Sequence, residues 1–477
     1  MRPIIITSCF LALLIVNPAS AIFRYVPTEF STIQAAIDAC ADGDTVVIAP
    51  GRYYGTGNQN LNLRGKLIMV RSTNPSDPEI VKSTVIDCNG LARGFYLYTA
   101  QSPDSKIEGL TITNGYSSTF GGAIYCSNGA SPTISNCVMT NNRATYGGAI
   151  TVMNSNSRPR ITNCTIIENR ATVLGGAIYC NVASPRIENS IIAGNFANLG
   201  GAIYSHYAGD PVIINCTISG NAASGSGGGI YCHALSNLAI DNAILWNNSA
   251  PSASEALIGR TGDGTEVSIS YCDVRSPAAM VILASGCTIN WGEGNIDADP
   301  QFVDVGSLTA NMTYIGGDYH LVNGSVCIDA GNPAFVASAG ETDIDGQSRI
   351  SGSRVDIGAD EFEYKPAISA TVEMMPKILN LASKGNALNC RISLPDGYNV
   401  ADIDVSTITL EGQLKPTQSR IDDVEQTLTV RFERVEMWNN VTLAVGPLSL
   451  TVTGSLYDGT IFEGSDTIKV IQPGGKK

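Results

Sequence analysis

The sequence predicts an all-β protein whose main part is a right-handed parallel β-helix, a solenoid of stacked coils. The first observation behind this prediction is a repeat of 25 to 28 residues, which contains the segment GGAI or GGGI. These segments begin at Gly121, Gly147, Gly175, Gly200 and Gly227. The second observation is an asparagine marker that has the same period. A repeat of this length with short alternating strands indicates one supersecondary unit per repeat, stacked on its neighbours.

The asparagine marker has two members in each repeat, six residues apart. The first members are Asn136, Asn163, Asn189, Asn215 and Asn242. The second members are Asn142, Asn169, Asn195, Asn221 and Asn248. Asparagine tolerates left-handed backbone and bonds neighbouring backbone groups, so both sets are predicted to lie in turns between strands.

Two columns of isoleucine lie between these markers. One column contains Ile134, Ile161, Ile187, Ile213 and Ile240, and the other contains Ile124, Ile150, Ile178, Ile203 and Ile230. Successive side chains of a strand point to opposite faces, and neighbouring strands are about 4.8 Å apart. We therefore expect both columns to point inward and to stack as the core of the coils.

The chain is predicted to have three parts. Residues 1–21 form a signal peptide, because the apolar run Ile4–Val16 is followed by the small-residue pattern Ala19-Ser20-Ala21. Residues 22–363 form the β-helix. Residues 364–477 show alternating strands without the repeat, which predicts a small immunoglobulin-like β-sandwich. The leader predicts that the protein is secreted or located at the cell surface.

No run of apolar residues after the leader reaches the length of about 20 that a membrane-spanning helix needs, so no spanning segment is predicted. The letters Ile6-Thr7-Ser8-Cys9 also match a lipoprotein box, which is the less favoured alternative because few residues precede it. Without Arg2, 28 basic residues remain against 43 acidic residues. This acidic balance argues against nucleic acid or an anionic lipid surface as a partner.

Three segments resemble known families. The stretch TIQAAIDACADGDTVVIAPGRYY resembles the opening of the pectin-lyase-like superfamily, in which an N-terminal capping helix leads into the first strand. The GGAI units resemble repeats of chlamydial polymorphic outer-membrane proteins, although those usually carry Phe where this chain has Ile, Met or Leu. That departure weakens an adhesin role. Residues 295–363 are similar to the C-terminal closing module of bacterial secreted β-helix proteins, and parts of residues 367–477 resemble a small domain of exported bacterial proteins.

Twelve cysteines follow the leader, and six of them fall in two columns of the repeat. The columns are Cys137, Cys164 and Cys216, and Cys126, Cys180 and Cys232. Cysteines that recur at one position of the repeat are predicted to be buried and to fill small spaces in the core. Disulfides within a stack are the alternative that the spacing leaves open.

Motifs for common catalytic or metal sites are missing. There is no Walker loop, GxSxG or HExxH, and the only histidines, His206, His233 and His320, exclude a His-rich zinc site. We therefore predict no metal site and no cofactor. Calcium is the alternative at the pairs Asp297/Asp299 and Asp343/Asp345, where a turn-stabilising role is favoured.

The predicted site is an outward stripe on the GGAI strands. If the isoleucines point inward, the next residue points outward, which places Tyr125, Tyr179, Tyr204 and Tyr231 in one column. Two residues further along come Asn181, His206 and His233. Exposed tyrosines beside polar groups suit sugar rings, which have apolar faces and hydroxyl edges. The alternative is that aromatic residues simply favour exposed strands.

Basic residues form two further ladders, Arg143 with Arg170 and Arg160 with Arg186. They are candidates to attract the carboxylates of a uronic-acid polymer or to act as a lyase base. Pairing with surface acids is the favoured interpretation.

Three functions remain open on the sequence. The leading hypothesis is a secreted or cell-surface protein that binds extracellular polysaccharide. The second is a polysaccharide lyase or glycosidase, for which Tyr204, His206, Tyr231 and His233 are the acid/base candidates. The third is an adhesin or structural surface protein.

Overall fold

The computed structural model describes residues 21–259, 264–308, 314–363, 367–381, 387–433, 445–457 and 459–472. The predicted signal peptide lies outside them, apart from Ala21. The chain divides into two compact units, Met1–Phe362 and Glu363–Lys477. None of the described helices is long and apolar enough to cross a membrane.

The first unit is a parallel β-solenoid with three long sheets of 11, 9 and 8 strands, which confirms the predicted fold class. The first sheet contains Phe23–Val26, Thr45–Ile48, Met69–Ser72, Lys106–Glu108, Thr133–Ser135, Arg160–Thr162, Arg186–Glu188, Val212–Ile214, Asn237–Asp241, Glu266–Ser270 and Thr288–Trp291. The second contains Gly51–Tyr53, Thr84–Asp87, Thr111–Thr113, Val138–Thr140, Thr165–Ile167, Ile191–Ala193, Thr217–Ser219, Ile244–Trp246 and Asp273–Val274. The third contains Phe95–Leu97, Ile124–Cys126, Ile150–Met153, Ile178–Asn181, Ile203–His206, Ile230–Cys232, Ala256–Ile258 and Val281–Leu283.

A fourth, shorter sheet was not predicted. It contains Arg143–Tyr146, Arg170–Leu174, Phe196–Leu199 and Ala222–Ser226. Each of its strands lies between the second asparagine of a repeat and the following GG pair. Four coils therefore have one more strand than their neighbours.

The isoleucine columns form the core as predicted. Ile178 pairs in register with Ile150 on one side and with Ile203 on the other, and all three are fully buried. The column that contains Ile187 is equally buried. Because each isoleucine contacts the equivalent one in the next coil, a coil buries its apolar surface mainly against its two neighbours.

The second glycine of each GG pair is required because the backbone of the next coil passes too close to leave room for a side chain. A Cβ atom on Gly201 would lie 2.2 Å from the carbonyl oxygen of Gly228, and one on Gly176 would lie 2.0 Å from that of Gly201. These distances are far below van der Waals contact. The first glycine of the pair, such as Gly200 with φ of 66°, has left-handed backbone.

The two asparagine columns differ in structure. The first members have left-handed backbone, as Asn163 does with φ of 51°, which confirms the predicted turn role. The second members are buried and form a ladder, in which each amide nitrogen donates to the amide oxygen one coil further on. The ladder bonds are Asn142 to Asn169 at 2.9 Å, Asn169 to Asn195 at 3.0 Å, Asn195 to Asn221 at 2.9 Å and Asn221 to Asn248 at 3.0 Å.

None of the twelve described cysteines between residues 40 and 390 forms a disulfide, and eleven of them are buried. Burial raises the pKa of the Cys126 and Cys216 thiols to about 12. The cysteines of both columns are thus neutral side chains that fill space in the core, and they form no disulfides in this structure.

Three short helices accompany the coils: α1 (Ile33–Ala39), α2 (Pro78–Ser83) and α3 (Pro277–Met280). The hydroxyl of Thr32 accepts a hydrogen bond from the backbone of Ala35 and begins α1. The apolar face of α1 joins the core of the coils. Its role as an end cap stays a prediction.

The segment that follows the last coil packs along the second sheet. It contains two antiparallel pairs, Phe302–Asp304 with Asp318–Leu321 and Ser307–Leu308 with Tyr314–Ile315. Its apolar side chains share a cluster with Ala193 and Ile244 of the second sheet. The predicted closing module therefore covers the flank of the coils.

The second unit contains a 5-stranded and a 4-stranded sheet. The 5-stranded sheet comprises Ile368–Ser369, Ile378–Asn380, Ile403–Leu410, Gly446–Leu456 and Ile461–Ile471, and a short 3₁₀ helix, Val400–Asp402, precedes one of its strands. The 4-stranded sheet comprises Thr371–Met375, Ala387–Ser393, Gln418–Asp422 and Thr427–Glu433. Both sheets contribute to one apolar core. The immunoglobulin-like assignment stays a prediction.

Candidate functional site

The predicted site residues come together on the outer side of the third sheet. Tyr179 pairs with Tyr204, Tyr204 pairs with Tyr231, and Asn181 pairs with His206. His233 follows the next strand directly. Parallel pairing in register thus places the predicted residues on adjacent coils.

The tyrosines, however, are not exposed. Tyr179, Tyr204 and Tyr231 are only 5%, 2% and 4% exposed, and they form a cluster with Leu174 and Leu199. Leu174 and Leu199 lie on the fourth sheet, whose extra strands cover the tyrosine column. The prediction of an exposed tyrosine stripe was therefore wrong for these three residues.

Tyr125 lies at the edge of this cluster and is partly exposed. Its ring lies 5.4 Å from the ring of Tyr96 and 5.8 Å from that of Phe120. The guanidinium of Arg93 lies over both Tyr96 and Tyr125. Tyr125 thus belongs to an aromatic row several coils away from the histidines.

The surface beside the buried tyrosines is formed by three rings, His206, Tyr207 and His233, which we call the aromatic patch. The His206 and His233 rings are stacked, with centroids 4.9 Å apart and planes 12° apart. The ring of Tyr207 lies 3.8 Å from that of His206 and is 58% exposed. Tyr207 has left-handed backbone with φ of 50° and follows the strand that contains His206.

Two polar groups border the aromatic patch. The hydroxyl of Tyr204 lies 3.2 Å from Nδ1 of His233, within hydrogen-bonding distance. Oδ1 of Asn181 is buried and accepts no hydrogen bond from the residues that the structure describes. Burial raises the pKa of Tyr179 far above its usual range, so this phenol stays neutral. The patch therefore offers ring faces and imidazole nitrogens, whereas the buried oxygen of Asn181 lies beneath its surface.

A cavity of about 460 Å³ lies elsewhere on the first unit, and sequence analysis did not predict it. It is bordered by α2, by turns between the first and second sheets, and by residues 338–346. Its polar lining residues are Asn136, Arg160, Thr162, Asn163, Thr165, Ser338, Glu341, Thr342 and Asp345, with Ser76 and Ser135. The sequence indicated Arg160, Asn163 and Asp345 separately and for other roles, and it did not predict that they meet, because the segments that contain them are far apart in the chain.

The arginine ladders pair mainly with local groups. Arg160 and Arg186 both donate through Nε to the buried carboxylate of Glu188, each at 2.6 Å. This pairing with an acid is the interpretation that the sequence favoured. Arg143 and Arg170 are neighbours in register, and the guanidinium of Arg170 lies 4.1 Å from the ring centroid of Phe196.

A group of metal-ligand type lies in the segment that flanks the second sheet. Donor atoms of His320, Asp345 and Asp360 all lie within 4.8 Å of one another. Hydrogen bonding to Asp345 is the main reason that the pKa of His320 is raised to about 10, and burial raises the pKa of Asp360 to about 6. The sequence indicated Asp345 as a calcium candidate but did not indicate the other two residues, which lie 15 to 25 residues away from it.

The other carboxylates considered for calcium hold turns together. Oδ1 of Asp343 accepts hydrogen bonds from the backbone of Asp345 and Gln347, at 3.0 Å and 2.8 Å. Asp297 and Asp299 each accept one backbone hydrogen bond. For Asp343 and Asp299 this is the turn-stabilising role that the sequence favoured, whereas Asp297 bonds the backbone of Ser276, 21 residues away, and so joins two segments.

Comparisons with known proteins agree with the coil geometry. Residues 59–181 match the family described as right handed beta helix region, and residues 215–233 match the Chlamydia polymorphic membrane protein repeat. The crystal structure of pectate lyase Pel9A is similar, with 16% sequence identity, a TM-score of 0.45, and coverage of 73% of this chain and 97% of that chain. No curated protein sequence matches significantly. The family matches and the parallel coils confirm the predicted right-handed β-helix with repeats of the polymorphic-membrane-protein type.

Proposed function

We propose that this protein is exported and binds extracellular polysaccharide through the aromatic patch. The observation that carries the proposal is the close arrangement of the His206, Tyr207 and His233 rings, 3.8 Å and 4.9 Å from ring to ring. Sugar rings pack their apolar faces on exposed aromatic rings and direct their hydroxyls to nearby polar groups. Tyr207 supplies the exposed face and the imidazoles supply hydrogen-bonding groups, while Asn181 lies beside His206 on the adjacent coil.

The buried tyrosines support this surface from beneath. Tyr204 contacts Tyr231 at 4.9 Å between ring centroids, and its hydroxyl bonds His233. A ring that is held in place loses less freedom when a ligand binds, which favours affinity. Tyr179, Tyr204 and Tyr231 thus position the patch, whereas His206, Tyr207 and His233 contact the sugar.

The cavity beside Arg160 is the second location at which a sugar chain can bind. Its volume of about 460 Å³ is in the range of small-ligand sites, and its lining combines a guanidinium with amides and hydroxyls. Nε of Arg160 is already bonded to Glu188, which Arg160 shares with Arg186, and the residues that line the cavity include no aromatic ring on which a sugar face can pack. We therefore favour the aromatic patch.

A glycan array with the full chain tests the proposal. We expect retention of at least one polysaccharide fragment, and retention of none would contradict the proposed function. For a retained glycan, His206→Ala is expected to weaken binding, while Arg160→Ala is expected to leave it unchanged. The opposite pattern would place the site in the cavity. Binding of proteins with no glycan retained would instead favour the adhesin function.

A polysaccharide lyase or glycosidase is the second candidate function. The specific observation is the contact between the Tyr204 hydroxyl and Nδ1 of His233, because a hydrogen-bonded pair of this kind can relay a proton. Incubation with the retained polysaccharide is then expected to release unsaturated or reducing-end products. His233→Ala should stop this release, and product formation that survives the substitution would exclude this pair as the catalyst.

A further inference from the structure

His320 lies at the centre of a group of carboxylates. It belongs to the strand Asp318–Leu321, which pairs with Phe302–Asp304 in a sheet of two strands. Nδ1 of His320 contacts the carboxylate of Asp318, and Nε2 lies 2.6 Å from Oδ2 of Asp345. Both nitrogens of one imidazole are therefore held by carboxylates.

This arrangement resembles the way in which proteins orient a histidine toward a metal. A ligating imidazole nearly always donates its other nitrogen to a carboxylate or carbonyl, which fixes the tautomer and the direction of the free nitrogen. Here Asp318 holds Nδ1, so that Nε2 faces Asp345, and a bound ion would replace the hydrogen bond between Nε2 and Asp345. Asp318 itself is not one of the three residues of the group.

The third member of the group is rigid and almost fully covered. Asp360 is 5% exposed, and its Oδ2 accepts a hydrogen bond of 2.7 Å from the backbone of Leu321, next to His320. This bond fixes the carboxylate relative to the imidazole. A buried carboxylate is stabilised in its ionised form by a cation. Asp345, by contrast, lies in an exposed turn and can adjust to an ion.

We infer that His320, Asp345 and Asp360 form a binding site for a divalent transition-metal ion such as zinc, with Asp318 as the residue that orients His320. One imidazole nitrogen with two carboxylates suits zinc and its neighbours better than calcium or magnesium, which prefer oxygen ligands alone. Three protein ligands leave a fourth position for water. The ion would join the strand 318–321 to the turn at Asp345 and to Asp360.

The site is separate from the aromatic patch, and its test needs no polysaccharide. The full chain is treated with a chelator, dialysed, and titrated with ZnCl₂ and separately with CaCl₂ in a calorimeter. We expect one zinc ion per chain with micromolar or tighter affinity, and calcium at least 100-fold weaker. Thermal unfolding should shift upward with zinc, because the ion binds only the folded chain.

Substitutions identify the ligands. Asp345→Asn, in an exposed turn, should weaken zinc binding at least tenfold, and it should lower the unfolding temperature of the metal-free protein only slightly, because it removes one partly exposed contact to His320. His320→Ala should abolish the intense visible absorption of bound Co²⁺, a spectroscopic substitute for zinc. Asp304→Asn is the matched control, since Asp304 is an exposed carboxylate on the partner strand. The inference is overturned if the wild-type chain takes up no zinc, or if both variants bind zinc as the control does.

Discussion

The amide nitrogen of Asn248 donates a 2.6 Å hydrogen bond to Oε2 of Glu255, and this bond ends the asparagine ladder. Glu255 is fully buried, and its other carboxylate oxygen has no donor among the described residues. Burial raises the pKa of this carboxyl to about 7. The ladder therefore ends on a group that changes charge near neutral pH.

Glu255 is expected to make stability depend on pH. Because its pKa in the folded chain is above the ordinary value of 4.5, the neutral form adds stability at acidic pH, and this contribution is lost as pH rises through about 7. Glu255→Gln should stabilise the protein at pH 8, by up to about 3 kcal/mol from the size of the shift, and have little effect at pH 4. Urea unfolding at both pH values measures this.

Glu293→Gln, at an exposed glutamate, is the control for that experiment. It should change stability little at either pH, since surface substitutions usually act within about 0.5 kcal/mol. An equal effect of Glu255→Gln at pH 4 and pH 8 would contradict the buried, neutral carboxyl.

The centre of the asparagine ladder is expected to be essential for stability. Asn195 accepts from the backbone and side chain of Asn169 and donates to Asn221, all within the buried ladder. Asn195→Ala leaves buried donors and acceptors unpaired and should cost about 2 to 4 kcal/mol. Asn198→Ala, at an exposed asparagine of the same coil, should cost far less in the same unfolding experiment. Similar losses for both variants would show that the ladder adds no special stability.

A charge introduced into the isoleucine core is expected to unfold several coils together. Ile178→Asp places an unpaired charge between Ile150 and Ile203 and should unfold several coils together. Ile178→Val at the same position removes one methylene and should cost only about 1 kcal/mol. Circular dichroism during heating distinguishes the two outcomes, and a cooperative transition at the wild-type temperature for Ile178→Asp would be incompatible with this register.

Because the tyrosines are buried, their substitution is expected to lower the stability of the chain, which the exposed stripe predicted from the sequence would not suggest. Because Tyr204 is almost fully buried, Tyr204→Ala should destabilise the chain by about 3 kcal/mol. Tyr207→Ala, at the exposed ring, should leave the unfolding temperature almost unchanged. If Tyr204→Ala were as stable as wild type, the burial of the tyrosine cluster beneath the fourth sheet would be wrong.

The fold could be predicted because its signals are local and repeated. Residues equivalent to Ile178, Asn195 and Gly201 recur in successive repeats with the same spacing, so one repeat predicts the environment of its copies. The exposure of Tyr204 could not be predicted, because it depends on Leu174 and Leu199 of an extra strand that the marker residues do not indicate. The metal-ligand group and the cavity were missed because they join segments that are distant in sequence and occur once.

The aromatic patch is the centre of the proposed function, and Tyr207 is its most exposed ring. The most direct test is the affinity of the retained polysaccharide fragment for wild type and for Tyr207→Ala, measured by calorimetry. Loss of one stacking ring is expected to weaken binding about tenfold, equivalent to about 1.4 kcal/mol, with the unfolding temperature unchanged. An affinity equal to that of wild type, in both Tyr207→Ala and His206→Ala, would contradict the account.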